Sequence, residues 1–171
     1  RGFSPSGSNE IQIELAGGGN LMYQVASHYY LPWDQLPPSQ PLEDFMTIDV
    51  DYDRTALRVN DEVTVAVGVR LNQQGMVRMA LIDLGVPPGF TVLTEDLSKL
   101  VEQGLIARYE LTGRQIIIYL EDFYYGTPLF FSYRLRARFP MRAQTPASMA
   151  YDYYNPGSLA LRAPLVVSVN E

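Results

Sequence analysis

Alternation of apolar and polar residues recurs along most of this chain. Ile48, Val50 and Tyr52 alternate with Asp49, Asp51 and Asp53, and Val63, Val65, Val67 and Val69 alternate with small or polar residues. A period of two puts every second side chain on one face of a pleated strand, so each run predicts a half-buried strand. Segments 79–84, 106–111, 116–120, 129–139, 149–153 and 165–169 read the same way. Turn residues punctuate the gaps at Asn60-Asp61, Asn72 to Gly75, Thr112-Gly113, Tyr125-Gly126 and Asn155-Pro156-Gly157. About eight short strands at regular spacing predict a mainly β chain, an antiparallel β-sandwich.

One stretch departs from the pattern and organises the rest. From Met79 it runs as a strand, and Pro87, Pro88 and Gly89 stop it, because proline offers no ladder N–H and glycine permits a sharp turn. After Phe90 the period changes. Leu97, Leu100 and Val101 form an i, i+3, i+4 stripe, Glu95 and Asp96 suit the positive end of a helix dipole, and Thr94 is the expected N-cap. Gly104 is the expected residue just past the C-terminus. This one short helix lies on a crossover and should lay its stripe on the sheet.

Upstream, Ile11, Ile13 and Leu15 alternate, Gly17-Gly18-Gly19-Asn20 is a turn, and Leu21, Tyr23, Val25, Ser27 and Tyr29 alternate again. That predicts a β-hairpin. Pro37, Pro38 and Pro41 stiffen the stretch that follows, so the expected organisation is a β-hairpin unit at 1–33, a proline-rich linker at 34–43 and a β-sandwich at 44–171. Two strands alone rarely hold together in water, so the hairpin reads as the end of a sandwich whose other strands lie upstream. The start, Arg1 to Ser8, reads as internal to something larger, with no signal peptide.

Composition narrows the function. A net charge of −6 argues against nucleic acid and against an anionic membrane surface as partners. No apolar run approaches the roughly 18 residues of a membrane helix, so membrane insertion by this chain is not expected. With no cysteine, neither a disulfide framework nor a cysteine-ligated zinc is available. His28 is the sole histidine, which removes histidine-rich metal sites. Asp49, Asp51 and Asp53 offer hard oxygen ligands, but alternation places them on one solvated face and the glycine and terminal glutamate of a calcium loop are missing. Glu121 and Asp122 are adjacent on a strand and should point oppositely, poor geometry for paired acid–base work. Gly17 to Gly19 precede a strand, not a helix, so they form no phosphate loop. Neither an enzyme, a metal nor a cofactor is expected.

The ordered motifs MALIDLGVPPGF, the acidic-leucine helix, ARYEL, IIIYLEDF and AYDYYNPG closely resemble the C-terminal receptor-binding domain of the alpha-2-macroglobulin and complement family. The preceding GGGNLMYQVASHYYLPW resembles the last strands of the CUB-type domain that comes before it, and the NDEVTVAVGV strand and YNPG ending look like bacterial members. The resemblance implies a large extracellular or periplasmic protease inhibitor, compatible with a membrane anchor at the parent's N-terminus. It implies a Cys–Gln thioester in another domain, since this chain has no cysteine. The partners implied are that thioester domain, neighbouring macroglobulin domains and, through the parent, target proteases.

In complement relatives a methionine and two tyrosines cover the thioester and keep water off it; by motif position these fall on Met79, Tyr119 and Tyr153. Aromatic rings and a soft thioether are suited to exclude water. The family's receptor site is a pair of lysines on the crossover helix. Those positions are Thr94 and Ser98 here, with Lys99 one place off and the only lysine of the chain, so receptor docking is not carried over. The competing reading is a stand-alone carbohydrate-binding or adhesin sandwich, with Tyr29, Tyr30 and Trp33, or Tyr124 and Tyr125, as stacking platforms.

Overall fold

The valine and isoleucine alternation becomes β1 (Met46–Tyr52) and β3 (Glu62–Leu71), in a computed structural model that describes residues 10–14, 16–20, 22–24, 35 and 45–171. Between them lies the short β2 (Ala56–Arg58). The organising stretch supplies β4 (Met76–Gly85), β5 (Phe90–Val92) and α1 (Thr94–Glu102). Then follow β6 (Arg108–Leu111), β7 (Gln115–Tyr124), β8 (Leu129–Ala137), β9 (Met141–Gln144), β10 (Ser148–Asp152), β11 (Asn155–Arg162) and β12 (Val166–Asn170).

The described strands form three sheets: β1-β3-β8-β5, β11-β10-β4-β7-β6 and β2-β12-β9. All pairings are antiparallel except β2 with β12. Met46, Ile48 and Val50 of β1, Val63 to Val69 in alternation on β3, and Phe131, Tyr133 and Leu135 of β8 line the inner face of the first sheet. Ala80, Ile82 and Leu84 of β4, with Ile116, Ile118 and Leu120 of β7, line that of the second. They make one hydrophobic core, and the period of two in the sequence is this inward face.

Four expectations need correction. The described strands number twelve rather than about eight, because β2, β5 and β9 have only three or four residues, too few to show a period. The fourth addition, β11, begins at Asn155 itself. The chain reverses one step earlier, at Tyr153-Tyr154, where the Asp152 carboxylate accepts from the Tyr154 N–H at 2.9 Å. Pro156 is tolerated because β11 is an edge strand. Thr94 is the first helical residue and Leu93 the N-cap, without a side-chain capping bond.

The fourth correction is the seat of the helix. α1 joins β5, an edge of the first sheet, to β6, an edge of the second, so it closes the open side of the sandwich. Leu97 and Leu100 are buried while Val101 is exposed. Gly104, at φ +69°, ends the helix as expected: the Leu105 N–H donates to the Leu100 carbonyl at 2.9 Å and the Gly104 N–H to that of Val101 at 3.0 Å. No helix among the described residues is long and apolar enough to cross a membrane.

The chain divides into two units, Arg1–Pro32 and Trp33–Glu171. All described strands and the helix belong to the second. In the first, residues 10–14, 16–20 and 22–24 carry no strand, Gly17 to Gly19 are bends, and Ile11, Ile13, Met22 and Tyr23 are exposed. The rest of the expected hairpin, including Leu15, Leu21 and residues 25–30, lies outside the described residues, as do Trp33, His28 and the linker apart from Gln35.

Candidate functional site

In an antiparallel sheet directly opposed residues share a face, so register locates the expected shielding residues. On β4, Ala80, Ile82 and Leu84 point inward, which turns Met79, Leu81 and Asp83 outward. Leu81 is opposite Tyr119 on β7 and Tyr151 on β10, and Asp83 is opposite Ile117 and Met149. Tyr119 is therefore the diagonal neighbour of Met79. Tyr153 joins them through its backbone, donating its N–H to the Met79 carbonyl at 2.9 Å. All three lie on the outer face, or at the rim, of the five-stranded sheet.

Their surroundings differ. Met79 and Tyr119 are half-buried, and the Arg108 guanidinium sits 3.5 Å from the Tyr119 ring centroid while pairing with Glu110. Tyr153 is 52% exposed in the β10–β11 turn, its ring edge-on to Tyr154 at 5.1 Å between centroids.

The register also brings in residues the sequence reading passed over: Leu81, Asp83, Ile117, Met149 and Tyr151. Leu81 is only 4% exposed although it points away from the core, so its neighbours on this face cover it. Asp83 accepts a hydrogen bond from the Gln115 side-chain amide at 2.7 Å, and its other oxygen is buried with no donor among the described residues. Burial raises the Asp83 carboxyl above the ordinary carboxylate range. Burial also raises the Tyr151 phenol, aided by the charge of Asp83 and by Tyr119 and Tyr153. Parity offered the signal: Met149, Tyr151 and Tyr153 alternate just as Met79, Leu81 and Asp83 do.

The crossover helix presents a different surface. Thr94 and Ser98 are half-buried, and Ser98 shares a 3.1 Å hydrogen bond with the Tyr109 hydroxyl. Lys99 is exposed. Asp96 accepts two side-chain bonds from Arg134, at 2.9 and 3.0 Å, and one from the Arg134 backbone at 3.1 Å. That pairing holds the Asp96 carboxyl below its usual range. The helix N-terminus is thus tied to β8 by a guanidinium rather than by a cap.

Other candidates separate. Asp49 pairs with Arg70 at 3.2 Å, Asp51 with Arg162 at 3.1 Å, and Asp53 accepts the Thr64 N–H at 3.1 Å. Tyr124 and Tyr125 are each half exposed and line different recesses. Tyr29, Tyr30 and Trp33 lie outside the described residues.

The A-macroglobulin receptor binding domain matches residues 76–163, which include β4, α1 and the whole outer face just described. The chain belongs to that family. Solved structures agree in fold. A fragment of native Escherichia coli alpha-2-macroglobulin reaching its C-terminus superposes with a TM-score of 0.64 at 19% identity, over 75% of this chain and 24% of that one. The native Escherichia coli protein solved by electron microscopy gives 0.67 at 19% identity, over 82% of this chain and 10% of that one. Salmonella alpha-2-macroglobulin reacted with methylamine gives 0.64 at 18% identity, again over 82% and 10%. This chain therefore spans a quarter or less of the length of these macroglobulins.

Proposed function

We propose that the chain is a non-catalytic C-terminal module of an alpha-2-macroglobulin-like protease inhibitor. Its outer face at Met79, Tyr119 and Tyr153 packs against and shields a thioester domain elsewhere in the parent. The parent meets target proteases outside the cytoplasm, in the periplasm or beyond the cell. The Arg1–Pro32 unit is read as the end of a CUB-type domain.

One observation carries this reading. An antiparallel sheet with one face on the core normally turns polar residues to water on the other. The four-stranded sheet does so at Thr47, Asp49 and Asp51 on β1 and at Ser132, Arg134 and Arg136 on β8, with Phe130 as its exposed aromatic exception. The five-stranded sheet instead sets Met79, Leu81, Ile117, Tyr119, Met149 and Tyr151 on its outer face, among Asp83, Arg108, Glu110, Gln115 and Glu121. A cluster of apolar and aromatic side chains of this extent on an outer face suits a surface covered by another domain. A thioester survives only where water is excluded, and this is the chemistry such a face supplies.

The test is the intact mass of the full-length parent with and without methylamine, in wild type and in Tyr153→Ala. A slow mass gain in wild type that becomes several-fold faster in the variant is expected. Equal rates would remove the shield from Tyr153, and no gain in either protein would remove the covalent mechanism.

A further inference from the structure

Beside the shielding face, on which Glu121 stands directly opposite Met79, we propose that the recess under the C-terminal end of α1 is a docking groove. Its occupant would be a short basic segment of polypeptide, an arginine or lysine flanked by apolar side chains. The recess has a volume of about 560 Å3. Ile106, Leu120, Phe123 and Leu129 form a floor that is part of the core, while Val101 and Leu105 stand exposed at its rim.

The charge on this groove is one-sided. Glu121 and Asp122 both line it, and no arginine or lysine does. Several other sheet and helix carboxylates are answered, Asp49 by Arg70, Asp51 by Arg162, Glu62 by Arg134 and Arg136, Asp96 by Arg134, and Glu110 by Arg108, whereas Asp83, Glu95, Glu102 and Asp152 form no ion pair among the described residues. Among the described residues, Glu121 and Asp122 form no ion pair. Arg78 lines the adjoining recess with them and still pairs with neither. The negative end of the α1 dipole points the same way.

Local backbone geometry assembles the pair. Adjacent side chains on a regular strand diverge, but Asp122 has φ +49°, in the left-handed region that non-glycine residues rarely adopt. That departure breaks the pleat on β7, and both residues line the same two recesses. A metal is not the fitting occupant, because Glu121 and Asp122 have no third carboxylate or histidine beside them in the recess, and no group of three such residues occurs among the described residues. A cationic side chain with an apolar flank satisfies both parts of the groove, the stem on Leu105 and Phe123 and the charge on the carboxylates.

The test is an amide NMR titration of the 171-residue chain with acetyl-Ala-Leu-Arg-Leu-Ala-amide at low ionic strength. Saturable shifts confined to residues 101–107 and 120–129, with a Kd below about 1 mM, are expected. Affinity should fall at least tenfold in the Glu121→Gln, Asp122→Asn double variant, and in wild type at 0.5 M salt. The same spectra show whether the variant keeps its fold, and asparagine tolerates the left-handed position. Absence of saturable shifts, shifts centred elsewhere, or an equal response to the peptide with glutamate in place of arginine would overturn the proposal. So would unchanged affinity in the folded double variant.

Discussion

Asp83 is a carboxyl set between Ile117 and Met149 on the outer face, held by the Gln115 amide on one oxygen and by nothing among the described residues on the other. Its pKa is raised by burial, so the folded state binds its proton more tightly than the unfolded chain does. Stability from this group is therefore full below the unfolded carboxyl value, about 3.9, and is lost as pH rises through the higher folded one. Asp83→Asn removes the charge while keeping an acceptor for Gln115. The urea midpoint of the variant should exceed that of wild type at pH 7, with the gain shrinking towards zero near pH 4; a gain constant with pH would show that ionisation is not its source. Tyr151, whose phenol feels the Asp83 charge, should titrate lower in the same variant.

The helix is the element on which local and tertiary effects divide most clearly. Its C-terminus was legible because only glycine enters the left-handed region cheaply, and Gly104 sits at φ +69° with both closing hydrogen bonds made. No side chain or backbone lies within 4 Å of where a Cβ would stand, so Gly104→Ala isolates backbone strain. The expected loss is about 1 kcal/mol of unfolding free energy, measured by chemical denaturation. A variant as stable as wild type would mean that the helix ends elsewhere in solution. The N-terminus was not legible. Thr94 looked like the cap, but Asp96 and Arg134 are 38 residues apart in sequence and meet only when β8 passes beneath the helix. Glu121 and Asp122 were not legible as a pair either, because a regular strand would have set them on opposite faces and the φ of +49° at Asp122 carries no glycine to announce it.

For the whole molecule, the boundary between the two units is open to direct measurement. The strands and core described lie entirely within 45–171, so a fragment of residues 44–171 is expected to melt in one cooperative transition, while residues 10–33 alone are not expected to fold. A fragment 44–171 lacking a cooperative melt would place part of the core's support upstream of Phe45.

Hydrophobic period, turn residues and the Gly104 stop were enough to establish a mainly β chain with one crossover helix, because these signals act over a few residues and need no partner. The ordered motifs reached as far as the family and named Met79, Tyr119 and Tyr153. Only the tertiary structure decided that α1 closes the side of the sandwich between β5 and β6, and that three- and four-residue strands complete the sheets. It also showed that Leu81, Ile117, Met149 and Tyr151 extend the apolar face. Each of these depends on which strands become neighbours, and strand order is settled by long-range burial and pairing rather than by any window of sequence.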